Sequence, residues 1–270
     1  MPIIQVNNRP IHYWTPTEKS PDQREILLFV HGAGGGQLTW TFQKAYFERD
    51  FRPILLELPG HGDSGGEGEE TVGAYADHVH AFIKKLRLPK LFVVGHSMGG
   101  AITQTLALRH PEALKAIVLV GTGARLKVLP LVLEGIQSNF KAAVEKITRL
   151  AFSQMASPKL IERGIEYLMR CPPKVLFGDY LACDRFDLMD EIEKIDLPTL
   201  IVCGEDDALT PVKYSQFLHG RIRGSMLSVL PGAGHMVMLE SPEAFNEALH
   251  AFVRNLAVCK KLNQMNAEGF

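Results

Sequence analysis

The sequence predicts an α/β fold, a doubly wound, mostly parallel sheet with helices on both faces and a helical segment inserted between two strands. Three observations predict it. Six short apolar runs, at 26–30, 53–56, 91–94, 116–120, 200–203 and 226–230, lack the polar alternation of a half-exposed strand. Helical periods separate most of them. The alternation then fails once, over about sixty residues that hold helical periods and no strand-like run.

Taken in order, residues 3–6 and 11–14 are β-branched or aromatic runs around the turn-forming Asn7-Asn8-Arg9-Pro10, which reads as a hairpin. The run at 26–30 opens the parallel sheet. A helix should follow from about Thr71 through Tyr75, Val79, Phe82, Ile83 and Leu86, spaced by three and four. After the strand at 91–94, Ala101, Ile102, Thr105, Leu106 and Leu108 share a helix face, and Pro111 ends that helix. Pro242, at a first-turn position, opens a last helix through Phe245, Leu249 and Phe252, and the polar end from Cys259 to Phe270 reads as a frayed tail. In the interrupted region three helical groups appear: Ile136 to Ala151, Leu160 to Leu168, and Val175 to Leu181 after Pro172-Pro173. The expected organisation is a sheet-bearing core from 1–122 and 188–270 with a helical cap, 123–187, over the sheet end where open α/β folds bind ligands.

Composition narrows the function. Among 270 residues, 29 Lys and Arg face 30 Asp and Glu, a net charge of -1, which offers no field for phosphate backbones and argues against a nucleic-acid partner. The apolar runs are far shorter than the ~20 residues of a membrane span, and no basic segment followed by an apolar stretch opens the chain, so a cytoplasmic protein is expected. Cys171, Cys183, Cys203 and Cys259 form no C-x-x-C pair and have no His at zinc-finger spacing, so reduced, mostly buried thiols are expected rather than disulfides or a metal site.

The chemistry is read from Gly95-His96-Ser97-Met98-Gly99, a G-x-S-x-G string between a buried strand and a helix. Glycines on both sides permit a turn tight enough to expose a hydroxyl in strained geometry, which makes Ser97 the candidate nucleophile. A hydroxyl needs a base at neutral pH. Of ten histidines, His235 follows a buried strand, ends the glycine-bearing loop 231–235 and comes late in the chain, as the order Ser, acid, His requires. The acid lies among Glu205, Asp206 and Asp207 at another strand end. In chains of this kind it stands four residues before the helix-opening proline, here Pro211, and three after the glycine, here Gly204; both counts select Asp207, with Asp206 the alternative. Backbone N–H groups must receive the oxyanion. Ala33, in the loop His31-Gly32-Ala33-Gly34-Gly35-Gly36, and Met98 are the candidate pair, with Gly34 the alternative to Ala33. The loop is no nucleotide cradle, because G-x-G-x-x-G would need glycine at Gln37 and no G-x-x-x-x-G-K-[ST] string occurs.

With these motifs the sequence resembles the α/β-hydrolase family, in its capped serine hydrolase branch of carboxylesterases, enol-lactonases and ring-cleavage-product hydrolases. The resemblance rests on H-G-A-G at 31–34, L-P-G-H-G-D-S at 58–64, G-H-S-M-G-G at 95–100, G-E-D-D-A-L-T-P at 204–211 and G-A-G-H at 232–235. It implies an eight-stranded sheet, a triad of Ser97, Asp207 and His235, no cofactor and no metal. Serine at the nucleophile position disfavours dehalogenase and epoxide hydrolase chemistry. Two positions depart from the pattern: Glu57 stands where relatives often carry Asp, and Met236 follows the candidate base where carbon–carbon bond hydrolases commonly have Trp.

The expected activity is hydrolysis of carboxylic esters with small to medium apolar acyl groups, through an acyl-enzyme. Lactones, thioesters and carbon–carbon bonds fit the same residues, and a small-molecule receptor with slow turnover and a lyase are the rival classes. Phe140, Phe152, Met155, Phe177 and Met189 are candidate linings of an apolar pocket, and Arg125 and Arg185 are candidate ligands for a substrate carboxylate beside their alternative as surface ion pairs.

Overall fold

The computed structural model describes residues 2–17 and 23–267, with side chains as far as 256. A hairpin opens the chain: β1 (Ile3–Val6) and β2 (Arg9–Trp14) are joined through Asn7 and Asn8, both at positive φ, the geometry whose twist suits a two-residue hairpin turn. There follow β3 (Ile26–Val30), α1 (Thr41–Phe47), β4 (Arg52–Leu56), α2 (Val72–Lys85), β5 (Leu91–His96), α3 (Met98–Arg109) and β6 (Leu114–Val120). Four helices come next: α4 (Pro130–Ser138), α5 (Phe140–Ala151), α6 (Pro158–Leu168) and α7 (Pro173–Arg185). The chain returns to the sheet with β7 (Thr199–Gly204), α8 (Val212–Arg221) and β8 (Met226–Leu230), and closes with α9 (Val237–Glu240) and α10 (Pro242–Ala267).

The eight strands lie in the order β1-β2-β4-β3-β5-β6-β7-β8. β1 and β2 pair antiparallel, as do β2 and β4; the remaining pairs are parallel. Because β3 is flanked by β4 on one side and β5 on the other, the chain reverses its winding there, which opens a crevice at the carboxyl ends of β3 and β5.

The two-residue strand period sorts the apolar runs between two cores. Ile26, Leu28 and Val30 pack with Val79, Phe82, Ile102 and Leu106 of α2 and α3, whereas Leu27 and Phe29 pack with Trp40, Phe47, Phe245 and Leu249 on the other face. Each such burial contributes about 1.5–3 kcal/mol. A third cluster, including Ile136, Val144, Val175 and Leu176, lies within α4, α5 and α7.

Several expected elements differ. The period from Ile136 to Ala151 is two helices, because the Asn139 side chain accepts from Ala142 N–H at 3.2 Å and caps a fresh start. β8 pairs only with β7 and leaves Met226 and Val229 exposed, so it is an edge strand rather than one buried on both faces. Beyond Cys259, where a frayed tail was expected, α10 continues to Ala267, and 268–270 lie outside the described residues. Cys171, Cys183 and Cys203 are free and buried, while the side chain of Cys259 lies outside the described residues. No described helix is long and apolar enough to cross a membrane.

Candidate active site

Ser97 occupies the single residue between β5 and α3. Its backbone, at φ 54 and ψ -116, lies in a region that a side-chain-bearing residue adopts only when its surroundings enforce it. The enforcement is visible. Ser97 N–H donates to Val120 carbonyl at 2.9 Å, and the Thr122 hydroxyl donates to Ser97 carbonyl at 2.9 Å. Behind the turn α3 presses on β3: a Cβ on Gly99 would lie 2.3 Å from the Val30 carbonyl oxygen, so only glycine fits.

Asp207 and His235 meet beyond β7 and β8. His235 Nδ1 donates to Asp207 Oδ2 at 2.9 Å, and both residues are buried. Leu209 and Thr210 N–H groups donate to Asp207 Oδ1 at 2.9 and 2.8 Å, and the Thr210 hydroxyl donates to Oδ2 at 2.7 Å. Burial works to raise the Asp207 pKa, but His235 and the Thr210 donors outweigh it and hold the carboxyl below the usual carboxylate range. Asp206 and Glu205 are exposed. His96 packs its ring against that of His235, with Nε2 donating to the His235 carbonyl at 3.0 Å; burial, and then the neighbouring His235, push its pKa down to about 3, so it is neutral. Gly121, at φ 50, backs the pair: a Cβ there would sit 3.3 Å from His235 Nδ1 and 3.5 Å from Asp207 Oδ2. Glu240 ties the loop 231–235 to the segment after α5, accepting from Gly234 N–H at 3.0 Å and Ser153 N–H at 2.8 Å. The sequence marks Gly121 only as a glycine at a strand end and Glu240 not at all, and it places Thr210 inside the G-E-D-D-A-L-T-P motif without showing that its hydroxyl holds the carboxylate.

The loop 31–36 leaves β3 beside Ser97. Leu58 N–H donates to His31 Nε2 at 3.1 Å, so the ring proton sits on Nδ1 and donates to the Gly32 carbonyl at 2.8 Å. Burial, and then His61, keep His31 well below the usual histidine pKa and neutral. Gly34 N–H is already committed to the Asp179 carboxylate at 2.8 Å, which leaves Ala33 as the loop's candidate donor. Met98 is the first residue of α3, where N–H groups have no acceptor within the helix.

Ser97, His235 and Ala33 line one cavity of about 640 Å³ between the strand ends and the helices α4 to α7. Asp207 stands behind it, reached through His235. Ser97 Oγ makes no hydrogen bond among the described residues; such contacts commonly tighten only once substrate is bound. Leu160, Arg163, Gly164, Tyr167 and Leu168 are spaced by one helix face, and that face of α6 fronts the cavity although no α6 residue is buried. Of the five side chains expected to line an apolar pocket, Phe152 does so; Phe140 and Phe177 pack in the α4–α7 cluster, Met189 against the sheet core, and Met155 is exposed. Arg125 and Arg185 do not reach the cavity. They pair with Asp187 and Glu70 at the surface. Among the described residues, two groups of side chains have the spacing to hold a cation, His80 with His110 and Glu112 and His12 with Glu57 and Asp63; neither lines the cavity, and the His80 and His110 rings are stacked 3.6 Å apart, so their in-plane lone pairs do not converge.

The eight-stranded, mostly parallel sheet agrees with the family comparison, in which the alpha/beta hydrolase family profile matches residues 27–248. The chain belongs to the α/β-hydrolase family. Among its relatives within that family, the pimeloyl-[acyl-carrier protein] methyl ester esterase of Neisseria meningitidis is 28% identical over 247 residues, covering 86% of this chain and 94% of the relative. The 3-oxoadipate enol-lactonase 2 of Acinetobacter baylyi is 28% identical over 239 residues, covering 86% and 89%. A solved thermophilic esterase is 37% identical and superposes with a TM-score of 0.82, covering 94% of this chain and 97% of that one.

Proposed function

We propose that this α/β-hydrolase is a serine hydrolase that cleaves carboxylic esters with small to medium apolar acyl groups. The observation that carries the reading is that His235, paired behind the cavity with the buried Asp207, lines the same cavity as the strained Ser97. With Nδ1 engaged by Asp207, the other ring nitrogen of His235 is the one to take the Ser97 proton. The hydroxyl oxygen attacks the ester carbonyl, and the oxyanion is received by Ala33 and Met98 N–H groups, each such donor worth about 2.7–4 kcal/mol. His235 then protonates the leaving alcohol, water repeats the sequence on the acyl-enzyme, and Asp207 stabilises the imidazolium without taking its proton.

Leu160 and Leu168 of α6, with Phe152, Ile147 and Val132, give the cavity an apolar portion that supports an acyl group held by burial. Residues 123–187 serve in this reading as the cap. The relatives named as an esterase and as an enol-lactonase support ester bonds, open or cyclic, as the target. A panel of p-nitrophenyl esters of graded acyl length, with a lactone alongside, tests the proposal. Turnover should peak at short to medium chains and vanish in Ser97→Ala with folding intact; more than a trace of residual turnover in that variant refutes it.

A further inference from the structure

A buried charge joins α7 to the loop proposed to hold the oxyanion. Asp179, in the middle of α7, has no exposed surface. Three groups from separate segments donate to its carboxylate: Gly34 N–H at 2.8 Å and His61 Nε2 at 2.7 Å to Oδ2, and the Tyr75 hydroxyl at 2.5 Å to Oδ1. The other ring nitrogen of His61, Nδ1, faces the Pro59 carbonyl at 3.0 Å, so both nitrogens face acceptors and the ring is cationic. Burial opposes that charge, but Asp179 outweighs it and holds the His61 pKa above the ordinary value. An ion withdrawn from water needs a counter-charge and donors for its remaining lone pairs, and Asp179 has both.

The consequence falls on Ala33. Its N–H belongs to the peptide plane whose carbonyl is Gly32, and that carbonyl accepts from His31 Nδ1 at 2.8 Å and Gly35 N–H at 3.0 Å. A planar trans peptide then directs Ala33 N–H to the opposite side. The next plane is anchored through Gly34 N–H on Asp179. Ala33 therefore sits between two fixed planes, one held by the core and the other by α7. Packing adds to the clamp: Gly34 adopts φ +63, and a Cβ there would lie 2.3 Å from Leu168 and 2.6 Å from Leu176, side chains of α6 and α7.

We propose that Asp179 is a positioning residue for the reaction: through Gly34 it fixes the loop that presents Ala33 N–H to the developing oxyanion, so the helical insertion assembles part of the site it covers. This rests on the serine hydrolase reading above. Because an oxyanion donor acts in the transition state rather than on bound substrate, its misplacement lowers kcat and spares KM.

Steady-state kinetics on p-nitrophenyl acetate, butyrate and octanoate, with thermal melting as the folding control, test it in Asp179→Ala, which removes the acceptor of Gly34 N–H, and in Tyr75→Phe. In Asp179→Ala, kcat should fall about 10- to 100-fold, by a similar factor for each ester, with KM held within about two-fold. Tyr75→Phe, which removes the donor to Oδ1 at little change in volume, should lower kcat several-fold in the same manner. A folded Asp179→Ala with kcat within about two-fold of the parent overturns the proposal, as does a loss carried by KM that grows with acyl length, the signature of cap packing alone. Should Asp179→Ala not fold, Tyr75→Phe decides, and an unchanged kcat there overturns it. Ser97→Ala separates the two readings: an inert Ser97→Ala beside a fully active Asp179→Ala removes the positioning role only, whereas an active Ser97→Ala removes the reaction on which it depends.

Discussion

Replacing Asp207 by Asn should inactivate the enzyme without unfolding it, for a reason set by hydrogen-bond polarity. Two backbone N–H groups, from Leu209 and Thr210, point at Oδ1, so in Asp207→Asn that site must hold the amide oxygen. The NH2 group is then forced into the Oδ2 site, 2.9 Å from His235 Nδ1. It can only donate. His235 is driven to the tautomer with its proton on the ring nitrogen that should receive the Ser97 proton. Loss of the productive tautomer costs ~10⁴-fold in kcat, equivalent to about 5.4 kcal/mol of transition-state stabilisation. The assay is kcat/KM on p-nitrophenyl butyrate with thermal melting alongside. Asp206→Asn is the control, since Asp206 is exposed, and it should remain within about two-fold of the parent. A folded Asp207→Asn retaining more than about a tenth of the activity, or an equal loss in Asp206→Asn, would refute the reasoning.

Gly99→Ala places a Cβ against the Val30 and His31 carbonyl oxygens, both backbone, and should lower the melting temperature by roughly 5–10 °C in a differential scanning experiment. The buried neutral histidines make stability fall in acid. His96 is held near 3 and His31 well below its ordinary value, so the unfolded chain binds more protons than the folded one as pH drops below the unfolded pKa. From pH ~6.5 to ~5 His96 alone costs about 2 kcal/mol, and chemical denaturation at several pH values should show that slope reduced in His96→Gln. His61 acts with the opposite sign: its raised folded pKa contributes stability that is full below the unfolded value and is lost as pH rises through the folded one, a slope that Asp179→Asn should remove. Arg125→Ala and Arg185→Ala, which break half-exposed surface pairs away from the cavity, should leave KM unchanged and stability within about 1 kcal/mol by the same denaturation assay.

What could be read from the sequence follows a physical division. The five strands β3 to β7 were legible because a parallel strand covered by helices becomes an uninterrupted apolar run, whereas β8 reads the same way although it lies at the sheet edge; Ser97, Asp207 and His235 stood out because each lies in a strand-terminal loop with its own residue grammar. α1 and α9 span seven and four residues, too short for a 3.6-residue period to declare itself. Helical spacing showed that Phe140 and Phe177 lie on apolar faces, but only the three-dimensional packing decides which face meets a neighbour and which fronts a void. Asp179 was invisible for a different reason. Mid-helix aspartates are ordinarily solvated, and the partners that bury this one lie 145, 118 and 104 positions away. Arg125 and Arg185 read alike in sequence whether they wait for a substrate or face Asp187 and Glu70.

The central claim is that one serine hydroxyl is activated by one imidazole across the cavity. A fluorophosphonate probe, which phosphonylates activated serines, followed by peptide mapping in a mass spectrometer, measures this at single-residue resolution. The account predicts stoichiometric modification of the peptide carrying Ser97, slowed by orders of magnitude in His235→Ala. Modification at another serine, or labelling of Ser97 at an undiminished rate in His235→Ala, would contradict it.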